Sequence, residues 1–145
     1  MSRAYFDSSV LLAVLLGEAR AEEAAKLWLG HEDKVSSILA EVECLNGLRR
    51  YAAKMGKKIP SKWLEEKIAF LGESMTDLTA KHMDGEILSV VKAESGLSDC
   101  RTLDAIHVAT ALFFKSKGET DLHLVSFDDR MRETAKKLGL SVLPA

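Results

Sequence analysis

Four short stretches place acidic side chains where the chain changes character. Asp7 divides two apolar runs in "AYFDSSVLLAVLL", and "SSILAEVECLNGLRR" carries Glu41 and Glu43. Asp104 stands in "RTLDAIHVATAL" after the turn-rich "SGLSDC", and Asp128 and Asp129 follow an apolar run in "HLVSFDDRM". A carboxylate desolvated without a partner costs several kcal/mol, and carboxylates brought close together raise one another's pKa. A hard divalent cation removes both penalties, and Mg2+ or Mn2+ takes oxygen ligands while keeping bound water. Such a site suits hydrolysis of a phosphodiester, because a bound metal activates water and stabilises the leaving oxygen. Taken singly, Asp104 and Asp128 also suit helix caps, and Asp7 is a good residue for starting a helix. Only the set argues for chemistry. No serine–histidine pair or nucleophilic cysteine competes, and His107 reads as a buried helix residue or a neighbour's hydrogen-bond partner rather than a ligand.

The elements that must position these acids alternate between strand and helix. "RAYF" reads as a strand leading into a helix over residues 8–16, with a second helix over 20–29. "KVSS" reads as a strand whose Ser36 or Ser37 caps a long helix over 38–55. Pro60-Ser61 restarts helix to about Glu73, "MTDLT" reads as a third strand, and helix follows over 81–94. A helix over "DAIHVATALFFKSK", the strand "LHLVSF", a helix over 129–138 closed by Gly139, and the strand "LSVL" complete the chain. Strands joined by helices of this length imply right-handed crossovers and a parallel sheet covered on both faces. The expectation is a three-layer α/β sandwich with a central parallel sheet of about five strands, forming one domain over residues 1–145. Ligands of such sheets bind outside the carboxyl ends of the strands, which is where all these acids fall.

Composition narrows the classes. The chain has 145 residues, 47% hydrophobic and 29% charged, with a net charge of −2; a strongly basic nucleic-acid protein is excluded. Its longest apolar run, from Val10 to Leu16, is too short to cross a bilayer. Cys44 and Cys100 form no CxxC pair, which argues against a zinc site and for a reducing cytoplasm. One stretch, "RRYAAKMGKKIPSK", carries six positive charges and no acid, enough to hold a phosphate backbone if it is more than solvated helix surface.

In order and spacing these stretches resemble the PIN-domain ribonucleases, specifically the VapC toxins of toxin–antitoxin modules. "AYFDSSVLLAVLLGE" is similar to the family's first motif, "SSILAEVECLNGLRR" to its second, "RTLDAIHVATAL" to its third and "HLVSFDDRM" to its fourth. The resemblance implies that Asp7, Glu43, Asp104 and Asp128 form the catalytic, metal-holding set, with Ser9 and Ser126 in support. Helical periodicity alone leaves Glu41 and Glu43 open. The family pattern selects Glu43, and Ala40 and Gly47, one turn either side, are expected to leave room there for water or substrate. It also selects Asp128, leaving Asp129 as a first-turn charge favoured by the helix dipole.

The implied activity is an Mg2+- or Mn2+-dependent endoribonuclease acting on single-stranded or loop RNA and leaving a 5′-phosphate and a 3′-hydroxyl. Arg49, Arg50, Lys54, Lys57 and Lys58 are the candidate RNA-backbone contacts. The implied partners are a second copy of the chain and a cognate VapB-like antitoxin. Such an antitoxin lays a helix across apolar helices and pushes a basic residue into the acidic pocket. The rival reading is a catalytically silent PIN-like module that binds RNA or protein. Two phosphate-handling α/β classes fit less well. A haloacid-dehalogenase-like phosphatase needs a second acid where Ser9 stands, and a response-regulator receiver needs a lysine that "LVSFDD" lacks.

Overall fold

The computed structural model describes residues 2–118 and 121–145. Its elements run β1 (Arg3–Phe6), α1 (Ser8–Leu16), α2 (Ala21–Leu29), β2 (Asp33–Ser37), α3 (Ile38–Met55), α4 (Trp63–Met75), β3 (Thr79–Lys81), α5 (Gly85–Ala93), α6 (Thr102–Lys117), β4 (Leu122–Val125), α7 (Asp129–Lys137) and β5 (Ser141–Leu143). Short 3-10 turns cover Gly56–Lys58 and Ser95–Asp99. The five strands form one sheet in the order β3-β2-β1-β4-β5, and every neighbouring pair is parallel. This is the expected three-layer sandwich.

Alternation along the strands divides the core. Ala4, Phe6 and Val125 face one layer with Val10, Ala13 and Ala24 of α1 and α2. Tyr5, Val35, Leu122 and Leu124 face the other, against Val108, Ala109, Met131 and Ala135 of α6 and α7. Helix α1 is apolar on nearly every side because it is enclosed on more than one side. Val10 and Ala13 pack on the sheet, whereas Leu11 and Leu15 pack with Ala40, Cys44 and Leu48 of α3 and Leu71 of α4. Gly17 ends the helix in the left-handed region at φ 63°, a conformation that glycine adopts without steric cost.

The chain order reverses beside β1. From β1 the chain moves outward to β2 and β3, then crosses back to β4 on the other flank of β1. Helix α1 leaves β1 over one face and α7 leaves β4 over the other, opening a crevice at the carboxyl ends of the two strands.

Several boundaries differ from expectation. Met75 ends α4 and residues 76–78 do not enter a strand, so "MTDLT" is a helix end and a turn up to Thr79, where the third strand begins as the short edge segment Thr79–Lys81. Helix α5 starts at Gly85, where Asp84 caps it, rather than at Lys81. Helix α6 starts at Thr102, so Asp104 lies inside its first turn and does not cap it. Gly47 leaves no opening beside Glu43 either. A Cβ there would stand 2.9 Å from the Leu12 side chain, so the missing side chain lets α1 and α3 pack closely.

Candidate active site

Asp7 follows the last residue of β1, and its backbone N–H donates to Val125 O of β4 at 3.3 Å. Its side chain is 2% exposed. Oδ1 accepts from the Ser9 hydroxyl at 2.6 Å and from the N–H groups of Ser9 and Val10, capping α1. Oδ2 accepts from the Ser126 hydroxyl at 2.7 Å. The two serines are themselves fixed, since Ser9 Oγ accepts from Phe127 N and Ser126 Oγ accepts from Asp128 N, each at 3.0 Å. The loop after β4 is thereby tied to the start of α1. Burial pushes the Asp7 carboxyl above its ordinary range, against the serine hydrogen bonds, which favour the charged form.

Asp128, Asp104 and Glu43 are the three further acids of the expected set. Asp128 caps α7, accepting from Met131 N at 2.8 Å. Asp104, in the first turn of α6, has its carboxyl raised by burial first and then by the negative charges of Asp128 and Glu43. Glu43, in the second turn of α3, accepts from His107 Nε2. His107 is fully buried, and its Nδ1 lies 2.6 Å from the Tyr5 hydroxyl. Glu41 touches none of these groups through a hydrogen bond or ion pair. Glu43 is joined to His107 by a hydrogen bond and Glu41 is not.

Among the described residues, none of the four acids is paired with a lysine or arginine. The donor set is entirely oxygen, partly desolvated and mutually repelling, which is the chemistry that a hard divalent cation neutralises. Among the described residues no three His, Cys, Asp or Glu side chains form a ready cage for an ion. A cation such as Mg2+ needs no such cage, because it binds through one or two carboxylates and keeps several waters. On that donor chemistry Asp7, Glu43, Asp104 and Asp128 fit a Mg2+ or Mn2+ ion.

Cys44, beside Glu43, has its thiol pushed up to about 12 by burial and then by the charges of Glu43 and Asp7, so it offers no thiolate nucleophile at neutral pH. Arg49, Arg50, Lys54, Lys57 and Lys58 are all exposed. Arg50 and Lys54 lie two and three turns beyond Glu43 on the same face of α3, while Lys57 and Lys58 sit in the 3-10 turn past the helix end.

A family profile described as PIN domain matches residues 4–137. The chain belongs to the PIN-domain family. Curated relatives of this PIN domain include Ribonuclease VapC46 of Mycobacterium tuberculosis (strain ATCC 25618 / H37Rv), 30% identical over 99% of this chain and 98% of the relative. Ribonuclease VapC45 of M. tuberculosis (strain CDC 1551 / Oshkosh) is 28% identical over 100% of this chain and 97% of its own. Among solved structures, one described as a toxin–antitoxin complex from Klebsiella pneumoniae superposes with a TM-score of 0.63 at 17% identity, covering 89% of each chain. At that identity it shows that the PIN fold is shared.

Tyr5 was not legible as a site residue. Its one local signal is a hydroxyl in the middle of an apolar strand, which needs a partner once buried. That partner, His107, is 102 positions away.

Proposed function

We propose that this PIN domain, a single domain over the whole chain, is an endoribonuclease and the toxin of a VapBC-type toxin–antitoxin module. The reading is supported by the buried Asp7 carboxyl at the end of β1, held by Ser9 and Ser126, and by Asp104, whose carboxyl is raised by burial and by the charges of Asp128 and Glu43. Among the described residues, no lysine or arginine is ion-paired to any of the four acids. Asp7, Glu43, Asp104 and Asp128 would hold Mg2+ or Mn2+, and a bound ion of that kind supplies an activated water and neutralises phosphate charge. The protein's own part is arrangement. Ser9 and Ser126 hold both oxygens of Asp7 so that its carboxylate does not rotate away. Arg50 and Lys54 extend the face that carries Glu43 and follow the phosphates of a single strand, with Arg49, Lys57 and Lys58 at its margins. Hydrolysis leaves a 5′-phosphate and a 3′-hydroxyl, and the RNA element is a loop or unstacked strand, the form whose bases a protein reaches most readily.

The partner that suits this surface is a VapB-like antitoxin segment with an apolar helix face. An apolar hollow of about 490 Å³ lined by Val10, Val14, Trp28 and Leu71 lies between α1, α2 and α4, with Leu29 and Phe70 exposed at its edge. An antitoxin arginine reaching the uncompensated acids satisfies them through charge-assisted hydrogen bonds. The active protein is a homodimer, and both cysteines are free, in keeping with a reducing cytoplasm. No described helix is long and apolar enough to cross a membrane.

Induced expression of the wild type and of Asp7→Asn, with sequencing of new RNA 5′ ends, tests the reading. Discrete 5′-phosphate ends from the wild type alone are the expected result. Identical ends from both proteins would exclude an acid-site nuclease and leave the silent RNA- or protein-binding module in its place.

A further inference from the structure

The Tyr5–His107–Glu43 chain crosses three elements, β1, α6 and α3, and no step described above uses it. Tyr5 and His107 are both fully buried, whereas the Glu43 side chain is 24% exposed. The acid is thus gripped from inside the core and remains reachable from the crevice. We propose that His107, oriented by Tyr5, is a positioning residue that fixes the Glu43 carboxylate for cation binding; this rests on Glu43 being a ligand as proposed above.

With the imidazole neutral, donor and acceptor chemistry gives the chain one direction. A carboxylate only accepts, so the nitrogen facing it, His107 Nε2, carries the hydrogen. In the neutral ring Nδ1 is then an acceptor, and the Tyr5 hydroxyl at 2.6 Å donates to it. Both ring nitrogens of His107 and the Tyr5 hydroxyl thus have partners. Burial, followed by the charge of Asp7, keeps the Tyr5 phenol protonated well above its ordinary range, so the donor at the inner end does not switch off.

Geometry makes His107 more than a satisfied core histidine. It lies three residues after Asp104, on the same face of α6, so the helix presenting one acid also holds the acid of α3. A change at His107 alters the placement of Glu43 relative to Asp104 without removing either carboxylate. Hydrogen-bond partners of metal ligands act in this way, and their loss costs about 10–100-fold in metal affinity.

Two measurements on folded, metal-free protein test the proposal, with thermal unfolding as the check on folding. Nitrogen-15 NMR of the His107 ring should show the Nε2–H tautomer in the wild type and, in Tyr5→Phe, which keeps the ring and removes only the hydroxyl, a changed Nδ1 shift because that acceptor loses its hydrogen bond. Titration with Mn2+ should show affinity lowered about 10–100-fold in His107→Leu. His107→Gln, whose amide nitrogen reaches the position of Nε2, should recover most of it. Cleavage at subsaturating Mn2+ should fall in parallel while KM for RNA stays unchanged. Wild-type Mn2+ affinity in folded His107→Leu, or an Nδ1–H tautomer in the wild type, overturns the proposal. Glu43→Gln separates the two claims. If it binds Mn2+ and cleaves as the wild type does, the assignment of Glu43 fails. If it is impaired while the His107 and Tyr5 variants are normal, only the positioning claim fails.

Discussion

The starts of α1 and α5 are built almost identically and serve different ends. Asp7 Oδ1 accepts from Ser9 N at 3.1 Å and Val10 N at 3.4 Å; Asp84 Oδ1 accepts from Glu86 N at 3.1 Å and Ile87 N at 3.3 Å. Even the second oxygens match in distance, at 2.7 Å to Ser126 Oγ for Asp7 and 2.7 Å to Lys81 Nζ for Asp84. The environments are opposite. Asp84 is exposed beside a lysine, whose hydrogen bond holds its carboxyl below the ordinary range, and Asp7 is buried with no cation, so its carboxyl is held above it. Capping geometry therefore says nothing about chemistry. What separates the two is whether the fold has already supplied the counter-charge.

The largest expected difference between the caps is in activity. Asp7→Asn should lower RNA cleavage by at least about 100-fold, since losing a ligand costs no less than losing a ligand's hydrogen-bond partner. Asp84→Asn should stay within about twofold of the wild type, since Asn also caps a helix start well and Asp84 bonds to none of the four acids. Gel assay of a labelled RNA with nuclease-free preparations decides this, and equal losses in both variants would erase the contrast. Chelation comes next. Excess EDTA should stop wild-type cleavage and Mn2+ or Mg2+ should restore it. Divalent ion at about 100 times its dissociation constant should stabilise the wild type by about 2.7 kcal/mol, a gain absent in Asp7→Asn. A smaller effect tests the surface rather than the caps: Arg50→Glu with Lys54→Glu should weaken RNA binding about tenfold at low salt and leave Mn2+ affinity unchanged.

The smallest effect is on stability, and its sign differs between the two acids. As pH rises past the ordinary carboxylate range, unfolded chains release the Asp7 proton before the native protein does, so metal-free native protein loses stability across that window. Asp7→Asn should therefore raise Tm at neutral pH, by about 2–4 °C for each kcal/mol relieved, and the gain should vanish below the unfolded pKa. Asp84 behaves in reverse. Its contribution is present above the unfolded pKa and is lost as pH falls through its lowered native value, so Asp84→Asn should lower Tm at neutral pH and not in strong acid. Thermal unfolding of both variants from pH 3 to 7 checks the signs together.

The features legible in the sequence were local or periodic. Helix α3 begins and ends where its cap, Ser37, and the glycine after Met55 indicate, and the five strands lie near the apolar runs that announced them. The third strand was displaced because Met75 of "MTDLT" packs with the α3–α4 cluster, and the edge strand beyond it is too short to carry its own alternation. Gly47 gave no sign of whether it faced substrate or a neighbouring helix, because that depends on where α1 crosses α3. The acids stood out in the sequence as candidates through their places at element junctions and their resemblance to the family's motifs. Their bracing did not. Ser126 reaches Asp7 across 119 positions and Tyr5 reaches His107 across 102, pairings that only the closed sheet brings about.

The central placement of β1 has a consequence for synthesis. Asp7 is made before the strand that docks against β1 on one flank, and 119 positions before the serine that grips its second oxygen. A polypeptide still emerging from the ribosome carries its first acid without the groups that make it an instrument. A ribonuclease assembled in this order does not threaten its own message until β4 and the serine after it have been made.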